Sequence, residues 1–217
     1  VKMGIVAGGP ENLIPDLTGP DFADILWVGA DHGTILLMKQ KIRPICAFGD
    51  FDSLSPEERA FLEASKVEVH AYIPEKDKTD LELALDWVLK QNPDQCILCG
   101  VTGGRMDHGL AAVQLLMKSV ERKTDLMIVD KNNRITLLAP GTYAIKNDPS
   151  FRYLSFLALT ERVQGLHLSG VKYPLENAIL PLGSSLCISN EPQSDVFTVA
   201  FDQGYLLMMR CRDQLGT

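Results

Sequence analysis

The chain has 217 residues, 46% of them hydrophobic and 23% charged, a composition that excludes a disordered, collagen-like or disulfide-scaffold protein. A formal charge of −7 argues against a nucleic-acid backbone as the main partner. No apolar run reaches the roughly 18–20 residues that span a bilayer, so no membrane role is expected.

The opening VKMGIVAGGP is too short, and too soon broken by Gly-Gly-Pro, to be a secretory signal. Five cysteines, an odd count, all sit in apolar stretches and read as buried thiols of a cytoplasmic protein. Cys96 and Cys99 form a C-x-x-C, but in a strand-like run the pair points to opposite faces, and no second pair completes a zinc site.

Apolar runs at residues 3–7, 25–28, 45–48, 67–72, 96–99 and 126–129 alternate with helical stretches. Buried strands alternating with helices predict a parallel, Rossmann-like sheet with helices on both faces. Ser55-Pro56-Glu57-Glu58 predicts a helix start with a capping box, and Thr79-Asp80-Leu81-Glu82 repeats the pattern. Leu81, Ala84, Leu85 and Val88 then recur at helical spacing, as an apolar stripe to pack on the sheet. Another helix is expected from Met106 or Asp107, with Leu110, Val113, Leu116 and Met117 as its stripe.

The pattern changes near residue 130, where Lys131-Asn132-Asn133 and Pro140-Gly141 are turn signals. Strand-like runs follow at 134–138, 153–159, 165–168, 186–189, 196–201 and 205–210, with Asp202-Gln203-Gly204 expected to join the last two as a hairpin. These predict a small antiparallel β-sandwich. The expected organisation is an α/β domain over residues 1–130 and a β domain over 131–217. The second part carries 8 basic and 7 acidic side chains, so the acidity belongs to the first part, at net −8.

Five carboxylates of that first part stand at one kind of place. Asp31, Asp50, Asp52, Asp80 and Asp107 each lie between the carboxyl end of a predicted strand and the next helix. In an open parallel sheet those ends share one edge, and ligands bind there. Converging carboxylates repel, and Arg105 and Lys78 in the same loops do not balance five of them. Mg²⁺, held by a few carboxylates and substrate phosphates, is the expected counter-charge. Gly8-Gly9 after the first strand and Gly103-Gly104-Arg105 before a helix offer backbone N–H groups and a guanidinium to phosphate. Each feature also has a plain structural reading: Asp80 and Asp107 offset helix dipoles, Thr79 caps, Gly103–Arg105 make a tight turn and His108 is a hydrogen-bonded structural histidine. Their joint placement on one edge favours a metal–nucleotide site.

The motifs together resemble the thiamine pyrophosphokinase family. Gly49-Asp50-Phe51-Asp52-Ser53 is similar to its G-D-F-D-S element, Asp77-Lys78-Thr79-Asp80 to its D-x-T-D element, and Gly103-Gly104-Arg105-Met106-Asp107-His108 to its G-G-R-x-D-H element. Gly170-Val171-Lys172-Tyr173 resembles its G-x-K-aromatic element and Ser189-Asn190 its terminal S-N element. One departure is Asp31-His32-Gly33-Thr34, where the family usually has D-G-G-A. The resemblance implies transfer of the pyrophosphate of ATP to the hydroxyl of thiamine, leaving AMP, by a homodimer. It implies Asp50, Asp52, Asp80 and Asp107 around Mg²⁺ and ATP, with Asp31 alongside and Arg105 on phosphate. Gly8, Gly9, Lys78, Thr79, Gly103, Gly104 and His108 complete the expected nucleotide site, and Tyr173, Ser189 and Asn190 the thiamine site. Taken alone, Tyr173 also reads as a half-buried strand aromatic, and either Asp80 or Asp107 suits the role of proton acceptor. A D-x-D nucleotide-sugar transferase and a non-catalytic thiamine or nucleotide sensor are the competing functions.

Overall fold

Every apolar run of the first part becomes a parallel strand in the computed structural model, which describes residues 1–70 and 77–213. The strands are β1 (Lys2–Val6), β2 (Ile25–Ala30), β3 (Cys46–Phe48), β4 (Glu68–His70), β5 (Gln95–Cys99) and β6 (Asp125–Val129). The end of the expected 67–72 run and the loop as far as residue 76 lie outside the described residues. The order is β4-β3-β2-β1-β5-β6. After β1 the chain moves to β2 on one side, whereas after β5 it moves to β6 on the other. The loops leaving β1 and β5 therefore diverge, and a crevice opens between them at the carboxyl edge.

The helices are α1 (Gly33–Lys39), α2 (Pro56–Ser65), α3 (Asp80–Lys90), α4 (Met106–Leu115) and α5 (Lys118–Arg122). The capping box of α2 forms: the Glu58 N–H donates to Ser55 Oγ and the Ser55 N–H to Glu58 Oε2, both at 3.2 Å. Helix α3 buries Ala84, Leu85, Val88 and Leu89, each Leu or Val contributing about 1.5–3 kcal/mol. The stripe expected on α4 holds in part, with Val113 and Met117 half-buried. Ala112 and Leu116 are buried, whereas Leu110 is 57% exposed and the helix stops at Leu115. A small residue faces inward there, which turns the larger Leu110 outward.

Residues from Asn132 onward form a separate unit. Its strands are β7 (Asn133–Leu138), β8 (Gly141–Lys146), β9 (Tyr153–Ala158), β10 (Arg162–Ser169), β11 (Leu175–Pro181), β12 (Val196–Phe201) and β13 (Leu206–Cys211). Strand β13 pairs antiparallel with β7 and β9. A second antiparallel sheet runs β11-β10-β12-β8. Leu154, Phe156, Leu166, Phe197, Val199 and Leu206, drawn from both sheets, share one core.

Three expectations fail in this unit. Residues 186–189 form turns, not a strand. Asp202-Gln203-Gly204 does not close a hairpin, because β12 and β13 belong to different sheets; the connection carries the chain from one layer to the other. Strands β8 and β11 escaped the sequence reading. Both are edges of the four-stranded sheet, half exposed, so their apolar alternation is weak.

The four cysteines 46, 96, 99 and 187 are buried free thiols, and Cys211 is half-buried. Burial pushes Cys46 and Cys96 up to about 12, which leaves them inert packing groups. Among the described residues no helix is long and apolar enough to cross a membrane.

Candidate active site

The loops after β1 and β5 touch. Gly9 N–H donates to the Gly100 carbonyl at 2.8 Å, and a Cβ on Gly9 would stand 2.5 Å from that oxygen. Glycine is required by this approach, which brings two backbone turns to the mouth of the crevice. The crevice is a cavity of about 910 Å³ in the first unit. Its walls include Gly8, Gly9, Asp31, Thr79, Asp80, Gly104, Arg105, Asp107 and His108, nine of the residues singled out from sequence. Gly103, in a left-handed turn with φ of 76°, shapes the loop without lining the cavity.

Asp31 is the first residue past β2. Its left-handed backbone (φ 51°) is fixed by its N–H donating to the Phe48 carbonyl at 2.7 Å and by its carbonyl accepting from Thr34 N–H at 3.0 Å. Its Oδ1 is buried and has no hydrogen-bond partner. Burial, then the charges of Asp80 and Asp50, push its carboxyl above the usual range. Asp50 and Asp52 flank Phe51, which also has a left-handed backbone (φ 58°) and sends its ring into the core with Leu54 and Leu62. The Phe51 carbonyl accepts from Arg59 Nη2 at 2.8 Å. The buried ring anchors the loop while both aspartates stay exposed. Asp50 Oδ1 accepts from the Asp52 N–H at 3.1 Å. Neither lines the cavity wall, although the charge of Asp50 reaches Asp31.

Arg105 and Asp107 grip each other. Arg105 Nε donates to Oδ1 at 3.1 Å and Nη2 to Oδ2 at 2.6 Å. The guanidinium holds the Asp107 carboxyl down at about 2, with the His108 N–H donating to Oδ1 as a smaller cause. Thr79 caps α3, its side chain accepting from Glu82 N–H at 3.2 Å. Lys78 is drawn away, its Nζ 2.6 Å from Asp86 in a cluster with Glu82 and Lys118.

Among the described residues no group of three or more His, Cys, Asp and Glu side chains is placed to hold a metal ion. The expected ring of Asp50, Asp52, Asp80 and Asp107 is thus not a ready-made cage, because Asp107 is committed to Arg105. The donors nonetheless fit a hard cation in another way. Asp31 presents an unpartnered buried oxygen toward two further carboxylates, and a cation would relieve both burial and repulsion.

Two of the wall residues that sequence reasoning did not single out make long-range polar contacts. His32 Nε2 lies 3.0 Å from Glu58 Oε1, so the carboxylate that caps α2 also steadies the cleft. Thr102 Oγ donates to the buried Asp130 at 2.6 Å, tying the β5 loop to the end of β6. Neither partner is a sequence neighbour, so no local pattern marks them.

In the second unit Asn190 is 2% exposed. Its Oδ1 accepts from the N–H groups of Tyr173 (3.0 Å) and Glu191 (2.9 Å), and its Nδ2 donates to the Tyr173 carbonyl at 2.9 Å. Both polar atoms of the amide thereby contact backbone. Tyr173 itself is 58% exposed, with Lys172 Nζ 5.5 Å from its ring centroid. The Ser189 N–H donates to Ser155 Oγ at 3.0 Å, and its left-handed backbone (φ 57°) leaves the residue exposed.

Two family models match the chain: the catalytic domain of thiamin pyrophosphokinase over residues 23–129, and the vitamin B1 binding domain of thiamin pyrophosphokinase over residues 142–206. The chain is 47% identical to the thiamine pyrophosphokinase of Bacillus subtilis (strain 168) across 97% of its own length and 99% of that protein. The fold matches a crystal structure of thiamine pyrophosphokinase from Bacillus subtilis with a TM-score of 0.94 at 46% identity, covering 99% of this chain and 100% of that one. A thiamin pyrophosphokinase from Geobacillus thermodenitrificans matches with a TM-score of 0.91 at 42% identity, covering 99% of each chain.

Proposed function

The chain belongs to the thiamine pyrophosphokinase family, and on that premise we propose that it transfers the pyrophosphoryl group of ATP to the hydroxyl of thiamine, giving thiamine diphosphate and AMP. The observation that carries the site assignment is the buried, unpartnered Asp31 Oδ1, faced by Asp50 and Asp80 beside two glycine turns.

Asp31, Asp50 and Asp80, with Asp52 in the loop of Asp50, are the residues that would hold magnesium. Bound magnesium supplies charge neutralisation and orientation of the phosphates. The turns at Gly8 and Gly103-Gly104 bring backbone N–H groups to phosphate oxygens, with Gly9 holding the first turn against Gly100, and the start of α4 adds its dipole there. Arg105 stabilises charge that builds on the transferred group. Asp107 aims that guanidinium through its two-point contact. The thiamine hydroxyl attacks the β-phosphorus in line; the new O–P bond forms as the bond to the α-phosphate oxygen breaks and AMP leaves. Asp107, held at about 2 by the guanidinium, is a poor acceptor for the hydroxyl proton. Thr79 fixes the start of α3 on which Asp80 stands, and His108 borders the phosphates. Lys78, paired with Asp86, holds α3 rather than nucleotide.

The second unit contributes the thiamine platform. Tyr173 offers its exposed ring to the cationic thiazolium, and Ser189 a polar contact. Asn190 acts one step back by fixing the Tyr173 backbone. A cytoplasmic homodimer completes the reading. A sugar transferase leaves the vitamin B1 binding domain unexplained, and a sensor leaves the match to a catalytic domain and the several carboxylates about the cleft without a purpose.

A coupled AMP assay tests the assignment. AMP should appear only with thiamine, ATP and Mg²⁺ together, stop with EDTA and return on adding Mg²⁺. Release of ADP, or of AMP without thiamine, overturns it.

A further inference from the structure

Strands β7 and β13 place two arginines opposite each other. Arg134 and Arg210 are register partners in an antiparallel pair, so their side chains share one face. That face is the inner one. Two and four residues before Arg210, Met208 and Leu206 lie in the sandwich core, and Leu138, the partner of Leu206, packs against it. On the other side Arg210 pairs with Leu154, which is 1% exposed. The arginines therefore close one end of the apolar layer.

Each keeps one unsatisfied polar atom. The Nε of Arg134 and of Arg210, and the Oγ of Thr136 on the same face, are buried without a hydrogen-bond partner. Like charges directly opposite each other are destabilising. Asp148 approaches from beside them, 3.5 Å from Arg134 Nη1. Its Oδ1 already accepts from the Ser150 N–H and Oγ at 3.1 and 2.6 Å. The guanidinium of Arg212 stands 5.5 Å from the Phe151 ring centroid, with Arg134 at 5.4 Å from the same ring. Asp148 thus answers to two guanidiniums, those of Arg134 and Arg210. Water can satisfy an N–H group but leaves this charge unbalanced, whereas an anion answers both needs.

We propose that Arg134, Arg210 and Thr136 form a binding site for a small oxyanion at the end of the β-sandwich, separate from the nucleotide cleft. The guanidinium fork favours phosphate or carboxylate over a halide. Occupancy stabilises the second unit by holding β7 against β13.

The test is a titration of the full-length protein with inorganic phosphate, following the arginine Nε–H signals by NMR. The signals are assigned with Arg134→Lys and Arg210→Lys. The expected result is a saturable shift of both signals with phosphate, absent with chloride at equal ionic strength. A parallel acetate titration separates the carboxylate from the phosphate source. Arg105 reports the nucleotide cleft independently in the same spectra. Thermal melts add a second reading: phosphate at ten times its Kd raises Tm by about 3 °C, and Arg210→Gln abolishes that rise. Arg134 and Arg210 signals that follow chloride as closely as phosphate, or shifts confined to Arg105, overturn the proposal. The wild-type titration decides even where a variant fails to fold.

Discussion

Replacing Asn190 with alanine separates a residue that touches thiamine from one that builds the platform beneath it. The side chain is buried and makes three hydrogen bonds, two with Tyr173 backbone and one with the Glu191 N–H. Each contributes about 1 kcal/mol net, and no water enters freely to replace them, so the loss is ~3 kcal/mol. With an m-value of about 2 kcal/mol/M for a domain of this size, the urea midpoint of the second unit should fall by about 1.5 M. Urea melts followed by far-UV circular dichroism measure this, alongside KM for thiamine. The variant should lose thiamine affinity because the Tyr173 backbone loosens. A midpoint within about 0.3 M of the parent, with thiamine affinity still lost, would refute the reasoning and return Asn190 to direct contact.

Arg105→Ala should release the Asp107 carboxyl from about 2 toward its ordinary 3.8, as read by NMR titration of its carboxyl carbon. The sign follows from the depressed value: whatever stability the pair gives is present above the unfolded pKa and is lost as pH falls through the folded one. Asp31 has the opposite sign, since its raised carboxyl favours the fold at low pH and opposes it once ionised. Asp31→Asn, which keeps a residue tolerant of the left-handed backbone, should therefore raise Tm at pH 7 in EDTA while removing turnover. That gain should shrink as pH drops through the raised Asp31 pKa; a lower Tm at pH 7 would contradict the burial argument. Gly33→Ala should cost more than ~3 kcal/mol, because its Cβ would meet the Val6 carbonyl oxygen at 1.9 Å, and an unchanged Tm would show that the β1–α1 approach is looser than drawn.

Much of the site was legible because its parts are local. A carboxylate after a strand, a glycine pair after β1 and a cap before α3 each show within a few residues, and parallel strands carry all of them to one edge. What the sequence concealed lies across long separations. Lys78 reads as a loop cation beside the phosphates, yet Asp86, eight residues on, captures it together with Lys118. Asn190 reads as a ligand contact, yet it faces backbone seventeen residues away. Asp107 reads as a metal ligand, yet a neighbour two residues earlier claims both its oxygens. In the second unit, edge strands β8 and β11 carry too little buried surface to mark themselves.

Sequence alone determined the element types of the first unit, the family and the edge on which acidic residues gather, since hydrophobic period, capping chemistry and glycine placement act over a turn or a strand. Tertiary structure decided which carboxylate is stranded and which is paired, and which arginines end face to face. Those outcomes depend on burial and on charge between segments far apart in the chain, quantities that exist only once strands have taken their neighbours.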